Sequence, residues 1–356
     1  MKSALSLARR GLGNVAPNPA VGCLIVKEGI VLGRGWTQPG GRPHAETVAL
    51  KQAGVGAVGA TAYVTLEPCA HYAVTPPCAE ALVKAGIVRV VIAIGDSDKR
   101  VSGQGVNILR EAGVSVVEDV LSDEAQLLNR GFFLTVTEDR PLFSLKAATS
   151  LDGKIATSSG ESKWITESTA RRYGHMLRAQ HDAILVGVNT VIADDPELTC
   201  RIYGLEKASP IRIVLDSCLR MPSNAKMLRG VGQTAVWVVT NERMRNSEES
   251  LALLQRGVDL IFVKNTAELK DVASSLRSKG VTRVLVEGGA HIHASFLRAQ
   301  LCDFLYHFIA AKVIGDDGLG AIGSIGLAQL QDAPHLKLVD HQKVGEDLLA
   351  TYRNAG

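Results

Sequence analysis

A chain of 356 residues is long enough for about two domains, and 46% hydrophobic with 21% charged residues is an ordinary globular composition. A formal net charge of +3 argues against a nucleic-acid-binding surface, and no apolar run reaches the roughly 18 residues of a membrane span. Arg9 and Arg10 interrupt the apolar N-terminus before a signal-peptide core could form. Six cysteines in a chain of this length do not make a disulfide scaffold. We therefore expect a cytoplasmic protein with reduced thiols.

The first 140 residues predict a layered α/β domain, because strand-like and helical segments alternate. A short N-terminal helix places Ala4, Leu5 and Ala8 inward, and segments 20–29 and 30–36 form a hairpin around a Glu-Gly turn. The further elements are helices at 44–54, 78–86 and 105–112 and strands at 61–68, 88–96 and 113–119.

A polar helix over 123–140 ends at Pro141, which predicts a domain boundary near residue 140. The second part again alternates, and this predicts a second α/β domain with a mostly parallel sheet and ligands at the carboxyl ends of its strands. Its strands are expected at 142–148, 183–191, 211–217, 235–241, 259–264, 283–289 and 304–315, with helices at 167–180, 247–256, 267–279 and 291–300.

The sequence PHAE at 43–46 and TLEPCAHYAVTPPC at 65–78 predict a catalytic zinc site. His44, Cys69 and Cys78 supply three ligands, and a catalytic site keeps the fourth position of the tetrahedral ion for water. His44 and Cys78 each open a helix after proline, where the positive helix end favours a thiolate. Glu46 is then placed to accept and return a proton, as in zinc deaminases with the H-x-E and P-C-x-x-C signature.

A structural zinc site with His71 as the fourth ligand is the alternative, as is a surface Glu46 beside unrelated cysteines. His71 follows Cys69 by two residues, which is tight for shared tetrahedral coordination. The C-x8-C spacing is wider than the commoner C-x2-C, although a tetrahedral site accommodates it.

The whole chain resembles the bifunctional riboflavin-biosynthesis deaminase–reductase family. The stretches that carry the resemblance are APNPAVGCLIVKEG, PHAE, AYVTLEPCAHYAVTPPC and GDSDKRVSGQG in the first part, and KAATSLDGKIAT, GESKWIT, ILVGVNTVIADDPELTCR, IRIVLDS and VEGGAHIHASFL in the second. The resemblance implies a cytidine-deaminase-like three-layer α/β domain over 1–140 and a dihydrofolate-reductase-like α/β domain over 141–356. It also implies Zn²⁺-dependent deamination of a phosphoribosylated aminopyrimidine, followed by NADPH-dependent reduction of its ribosyl group to ribityl.

The resemblance also implies site residues, each with a plainer reading as a turn, core or solvated side chain. Implied substrate contacts are Asn18, His71, Ser162, Arg178, Leu198, Arg201 and Glu287. Implied cofactor contacts are Ala148, Trp164, Thr190, Asp194, Ser217, Gly289, Ala290, His291, Ile292, His293, Ala294 and Ser295. By residues alone, Gly288–Gly289 between a strand and a helix is a weak phosphate-site signal, and His291 and His293 lack a further ligand for a metal.

The chain departs from the family in one loop, where Ala73–Val74 stand in place of Gly followed by Arg or Lys, and Ser97 and Lys99 replace prolines near Asp96. A basic residue in that loop could hold the substrate phosphate. The family implies a homo-oligomer through the reductase domain, with no nucleic-acid or membrane partner. Two rival functions remain: a deaminase whose second domain only regulates it, and a zinc-stabilised scaffold for pathway partners.

Overall fold

The computed structural model describes residues 1–72, 76–96 and 102–355, and the chain divides into two compact units, Met1–Asp139 and Arg140–Gly356. No helix among the described residues is both long enough and apolar enough to cross a bilayer.

The first unit contains one mixed sheet. Its strands are β1 Gly22–Lys27, β2 Ile30–Trp36, β3 Thr61–Val64, β4 Arg89–Ile92 and β5 Ser115–Val117, and its helices are α1 Lys2–Ala8, α2 Ala45–Ala53, α3 Cys78–Lys84, α4 Gln104–Glu111, α5 Ser122–Leu128 and α6 Arg130–Thr137. The strand order is β2-β1-β3-β4-β5, in which β1 runs antiparallel to β2 and β3, and β3, β4 and β5 are parallel.

Helices cover both faces of this sheet, so the predicted three-layer arrangement is confirmed. On β1, Cys23 and Ile25 join the core cluster that includes residues of α2, α3 and α4, whereas Leu24 packs with α1. This is the alternation that the period of a strand requires.

Helix α2 approaches the sheet closely because two glycines of β2 lie beneath it. A Cβ at Gly33 would come within 2.1 Å of the Ala49 carbonyl oxygen, and one at Gly35 within 2.0 Å of the Ala45 carbonyl oxygen. The backbone of α2 therefore rests directly on β2, and this contact fixes the position of the helix start.

The predicted helix over 123–140 is wrong in one respect, because it is two helices separated at Asn129. The Asn129 side chain is buried, donates to the Ala20 carbonyl oxygen at 3.0 Å and accepts from the Ala20 amide at 2.9 Å. These bonds hold Asn129 against the segment before β1 and interrupt the helix.

The second unit contains a nine-stranded sheet, and the prediction of a mostly parallel sheet is confirmed. Its elements are β6 Leu142–Thr149, β7 Lys154–Ala156, α7 Ser168–Ala179, β8 Ala183–Gly187, α8 Val188–Asp194, β9 Ile211–Leu215, β10 Val236–Asn241, α9 Glu248–Gln255, β11 Asp259–Val263, α10 Leu269–Ser278, β12 Arg283–Val286, α11 Ala290–Arg298, β13 Phe304–Ile309, β14 Leu319–Gly320, β15 Leu336–Val344 and β16 Asp347–Asn354. The order is β11-β10-β9-β8-β12-β6-β13-β16-β15, with the first seven strands parallel and β16 and β15 antiparallel; β7 and β14 pair separately.

The predicted strand over 183–191 is too long, because the strand ends at Gly187 and α8 begins at Val188. The β-branched residues of this stretch suggested a strand, but Val188 and Val191 are three residues apart, both are buried and both pack in the same core cluster. That spacing fits one face of a helix.

Candidate functional site

The three candidate metal ligands converge in the first unit. His44 lies immediately before α2, Cys78 is the first residue of α3, and Cys69 lies in the loop after β3. Their ligand atoms all lie within 4.8 Å of one another. The Nδ1 atom of His44 is 3.3 Å from the Cys78 Sγ and 3.7 Å from the Cys69 Sγ.

The donor set fits Zn²⁺, which takes thiolate and imidazole ligands. Hydrogen bonds from Cys78 and His44 lower the pKa of the Cys69 thiol to about 4, and the Cys78 amide also donates to its sulfur at 3.3 Å. The contact with Cys69, together with burial, raises the pKa of the Cys78 thiol. Two thiolates this close repel each other, and a divalent cation between them would remove that repulsion.

Glu46 lies in the first turn of α2 and is 4% exposed. Burial, and next to it the negative charge of Cys69, raise the pKa of the Glu46 carboxyl to about 7. A carboxyl group with such a pKa can both accept and release a proton near neutral pH.

A cavity of about 190 Å³ adjoins these groups. It is lined by His44, Glu46 and Cys69, and also by the predicted substrate contacts Asn18 and His71. Asn18 is half-buried, and His71 is exposed at the cavity margin. The departures at Ala73–Val74, Ser97 and Lys99 lie outside the described residues.

Most of the predicted cofactor contacts surround a cavity of about 520 Å³ in the second unit, at the carboxyl ends of β8, β9 and β12. Thr190 on α8 accepts a hydrogen bond from the Gly289 amide at 3.0 Å, which joins two of the predicted segments. Helix α11 begins at Ala290, so its free amide groups face this region. The predicted residues that line the cavity are Thr190, Ser217, Gly289, Ala290, His291, Ile292 and Ser295.

A second cavity of about 350 Å³ gathers predicted residues of both kinds, namely Ala148, Trp164, Arg178, Arg201 and Glu287. Arg178 forms a two-point ion pair with Glu287, with Nε–Oε1 at 2.7 Å and Nη2–Oε2 at 2.9 Å. Burial alone would raise the pKa of Glu287, but the Arg178 guanidinium lowers it to about 2.

The remaining predicted residues lie in other surroundings. Leu198 is 3% exposed in a hydrophobic cluster beneath α8, Asp194 is exposed at the end of α8, and Ser162 is half-buried before α7. His293 and Ala294 are buried on the inner side of α11, where the His293 Nδ1 atom lies 3.1 Å from the Ala321 carbonyl oxygen.

Comparison with known proteins agrees with both halves of this geometry. Residues 1–94 match the cytidine and deoxycytidylate deaminase zinc-binding region, and residues 141–350 match the RibD C-terminal domain. The riboflavin biosynthesis protein RibD of Aquifex aeolicus is 42% identical over 99% of this chain and 97% of its own length. The chain belongs to the RibD family.

Solved structures of RibD proteins extend over the whole chain. Acinetobacter baumannii RibD is 38% identical with a TM-score of 0.89, covering 100% of this chain and 98% of its own. A diaminohydroxyphosphoribosylaminopyrimidine deaminase/5-amino-6-(5-phosphoribosylamino)uracil reductase from Thermotoga maritima is 34% identical with a TM-score of 0.87, covering 100% and 97%. The chain is thus a bifunctional deaminase and reductase of the RibD family, with a zinc-binding deaminase domain and a reductase domain.

Several residues at the RibD sites had no signal in the sequence. Glu67 is 4% exposed and lines the deaminase cavity, and its carboxylate accepts from the amides of Gly103, Gly105 and Val106 at 3.0 to 3.3 Å. It thereby holds the start of α4 beside the cavity. Because its partners are backbone amides distant in the chain, no local sequence pattern predicts the role of Glu67.

The reductase domain adds basic side chains that sequence reasoning did not single out. Arg220 and Arg298 line the larger cavity, and Lys146 and His175 line the smaller one. Burial lowers the pKa of the Lys146 amine, which Arg178 lowers further and Glu287 opposes. The members of each pair are far apart in sequence and are brought together only in the fold.

Proposed function

We propose that residues 1–140 deaminate 2,5-diamino-6-ribosylamino-4(3H)-pyrimidinone 5′-phosphate, and that residues 141–356 then reduce its ribosyl group to ribityl with NADPH. The observation that carries this proposal is the convergence of His44, Cys69 and Cys78 within 4.8 Å beside a buried Glu46, in a chain that also carries a cofactor-sized cavity. The Thermotoga relative is named for both reactions.

In the deaminase domain, the residues that would hold zinc are His44, Cys69 and Cys78. Zn²⁺, when bound there, supplies a Lewis acid that makes water a better nucleophile. Glu46 takes a proton from the attacking water at its carboxylate and delivers it to the leaving amino nitrogen. Ammonia departs as the ring carbon exchanges its C–N bond for a C–O bond, and burial of Glu46, which raises the pKa of its carboxyl, favours its holding the proton between the two transfers.

Asn18 and His71 are the proposed contacts to the pyrimidine and ribose groups in this domain. Both line the cavity beside Glu46, and both offer hydrogen-bonding side chains. Contacts of this kind orient the amine-bearing carbon toward the site of attack, which is where much of the rate acceleration of an enzyme arises.

In the reductase domain, NADPH supplies the hydride when it is bound. The proposed cofactor contacts are Ala148, Trp164, Thr190, Asp194 and Ser217 together with the segment from Gly289 to Ser295. The hydrogen bond between Thr190 and Gly289 and the start of α11 support a site for the pyrophosphate. The glycine backbone there leaves room for phosphate oxygens to approach the amides.

Arg220 and Arg298 support the choice of NADPH over NADH, since both line the larger cavity. Arg220 donates to the Asn189 Oδ1 at 2.9 Å, and Arg298 donates to the Ser295 Oγ at 3.2 Å. Each guanidinium retains further N–H donors for a phosphate, and the 2′-phosphate is the group that distinguishes NADPH from NADH.

The smaller cavity is the proposed substrate site, with Arg178, Arg201 and Glu287 as the contacts in its lining. Ser162 and Leu198 complete the proposed set from outside that lining. Lys146, Arg178 and Arg201 line it and attract a phosphorylated substrate. Glu287 keeps Arg178 in place through the two-point ion pair, with its carboxylate ionised because its pKa is about 2.

We also propose that the protein is a cytoplasmic homo-oligomer that pairs through its reductase domains. Pairing of reductase domains is supported by edge strand β15, where Leu338 and Val339 are 48% and 45% exposed. The small net charge of +3 supports the absence of a nucleic-acid partner. The expectation of a cytoplasmic protein rests on the sequence alone.

Incubation of the full chain with the pyrimidine ribotide and NADPH tests the function. We expect loss of NADPH absorbance only when the ribotide is present, together with release of ammonia. Ammonia release without NADPH oxidation would instead favour a deaminase with a regulatory second domain. The absence of both signals would favour a zinc-stabilised scaffold.

A further inference from the structure

The deaminase cavity has a positively charged side chain in its wall. Arg42 lines the cavity, is half-buried and precedes the metal-ligand candidate His44 by two residues. Among the described residues that line the cavity, Arg42 is the single arginine or lysine, and the acidic side chains there are Glu46, Glu67 and Asp96. A guanidinium offers five N–H donors and no acceptor, which suits it to phosphate oxygens.

The turn before Arg42 holds its backbone in place. The Gly41 amide donates to the Gln38 carbonyl oxygen at 2.9 Å, and the Gln38 amide donates to the Pro43 carbonyl oxygen at 3.1 Å. These two bonds enclose Arg42 within a closed loop, so its main chain is fixed before any ligand binds.

The same turn packs against the segment that carries Asn18. The Gly40 amide donates to the Asn14 carbonyl oxygen at 2.8 Å. Gly41 has a φ of 85°, and a Cβ there would come within 1.8 Å of the Asn18 side-chain nitrogen. Glycine is therefore required at this position, and the close approach sets Arg42 beside a proposed substrate contact.

We propose that Arg42 binds the 5′-phosphate of the pyrimidine ribotide during deamination, an inference that rests on the proposed function. The planar guanidinium can donate two parallel hydrogen bonds to phosphate oxygens. A phosphate dianion next to Glu46 and Glu67 needs a nearby cation, and Arg42 is fixed on that wall. The loop residues Ala73 and Val74 carry no charge, whereas Lys99 and Arg100 lie outside the described residues.

The test compares the ribotide with its dephosphorylated riboside as substrates for ammonia release. Arg42→Ala in the full chain should raise KM for the ribotide about 10- to 150-fold, the effect of losing a charged hydrogen bond to phosphate. It should leave kcat, zinc content and KM for the riboside near their original values. Inorganic phosphate should inhibit the native enzyme and lose that effect in the variant.

Arg34→Ala is the matched control, because Arg34 is an exposed arginine of the same unit on β2. It should change neither the KM for the ribotide nor the KM for the riboside. Arg42→Lys should restore part of the ribotide affinity that Arg42→Ala loses. If Arg42→Ala does not fold, Arg42→Gln decides by the same comparison.

Equal losses on ribotide and riboside would overturn the proposal, since Arg42 would then act on the zinc site and not on the phosphate. A KM increase from Lys99→Ala or Arg100→Ala, with none from Arg42→Ala, would also overturn it. If the native chain releases ammonia from neither substrate, the proposed function itself fails, which is a separate result.

Discussion

The contact between β2 and α2 offers a direct test of how the fold positions the deaminase site. Gly35→Ala would place a Cβ within 2.0 Å of the Ala45 carbonyl oxygen, where ordinary contacts begin at 3.4 Å. The start of α2 must therefore move by about 1.4 Å, and His44 and Glu46 move with it. Overpacking of this kind costs about 1–3 kcal/mol, and a displacement of about 1 Å at a reacting centre costs about a hundredfold in rate.

We expect Gly35→Ala to lower ammonia release by about a hundredfold and to weaken zinc retention, because two groups of the site sit on the displaced turn. Reduction of the already deaminated intermediate should continue, since the substitution lies in the first unit. Gly232→Ala is the control, because a Cβ at Gly232 has open space around it. The two assays are ammonia release from the ribotide and NADPH absorbance with the intermediate. Normal deamination by Gly35→Ala would refute the claim that this contact fixes the site.

Three further predictions concern individual side chains. Cys78→Ser should abolish zinc retention and deamination, because a hydroxyl does not replace a thiolate; full zinc by metal analysis with normal activity would refute the ligand set. Glu46→Gln should keep the zinc but lower deamination by about a hundredfold or more, and loss of the metal would mean that Glu46 is a ligand. Glu287→Gln should destabilise the reductase unit by about 3–5 kcal/mol at pH 7 in denaturant unfolding. Because the pKa of Glu287 is lowered to about 2 in the folded protein, this difference should shrink as the pH falls below about 4.5, and a pH-independent difference would contradict the ion-pair explanation.

The convergence of His44, Cys69 and Cys78 could be predicted from sequence because these residues are near one another in the chain and two of them mark recognisable helix starts. Pro43 before His44 and Pro77 before Cys78 mark those starts, and α2 and α3 begin there. His44 and Glu46 are two residues apart and cannot share a helical face. Their spacing therefore predicts different roles, His44 as a metal ligand and Glu46 as the residue that carries the proton.

Other features could not be predicted because they depend on contacts distant in sequence. The Glu67 carboxylate bonds to amides more than thirty residues away, and Arg220 and Arg298 line one cavity although they belong to segments distant in sequence. The β15–β16 hairpin is not evident from the sequence, since most residues of β15 are exposed and it lacks the apolar alternation of a half-buried strand. Helix α8 is not evident from the sequence, because its β-branched residues mask a helical spacing.

The central claim is that one chain carries a metal-dependent deaminase and a metal-independent reductase. The most direct measurement follows ammonia and NADPH together, with the full chain, in the presence and absence of a zinc chelator. We predict that the chelator stops ammonia release and NADPH oxidation with the diamino ribotide, while NADPH oxidation continues with the purified deaminated intermediate. Ammonia release that persists after the zinc is removed, or an intermediate that is never reduced even by the untreated protein, would contradict the account.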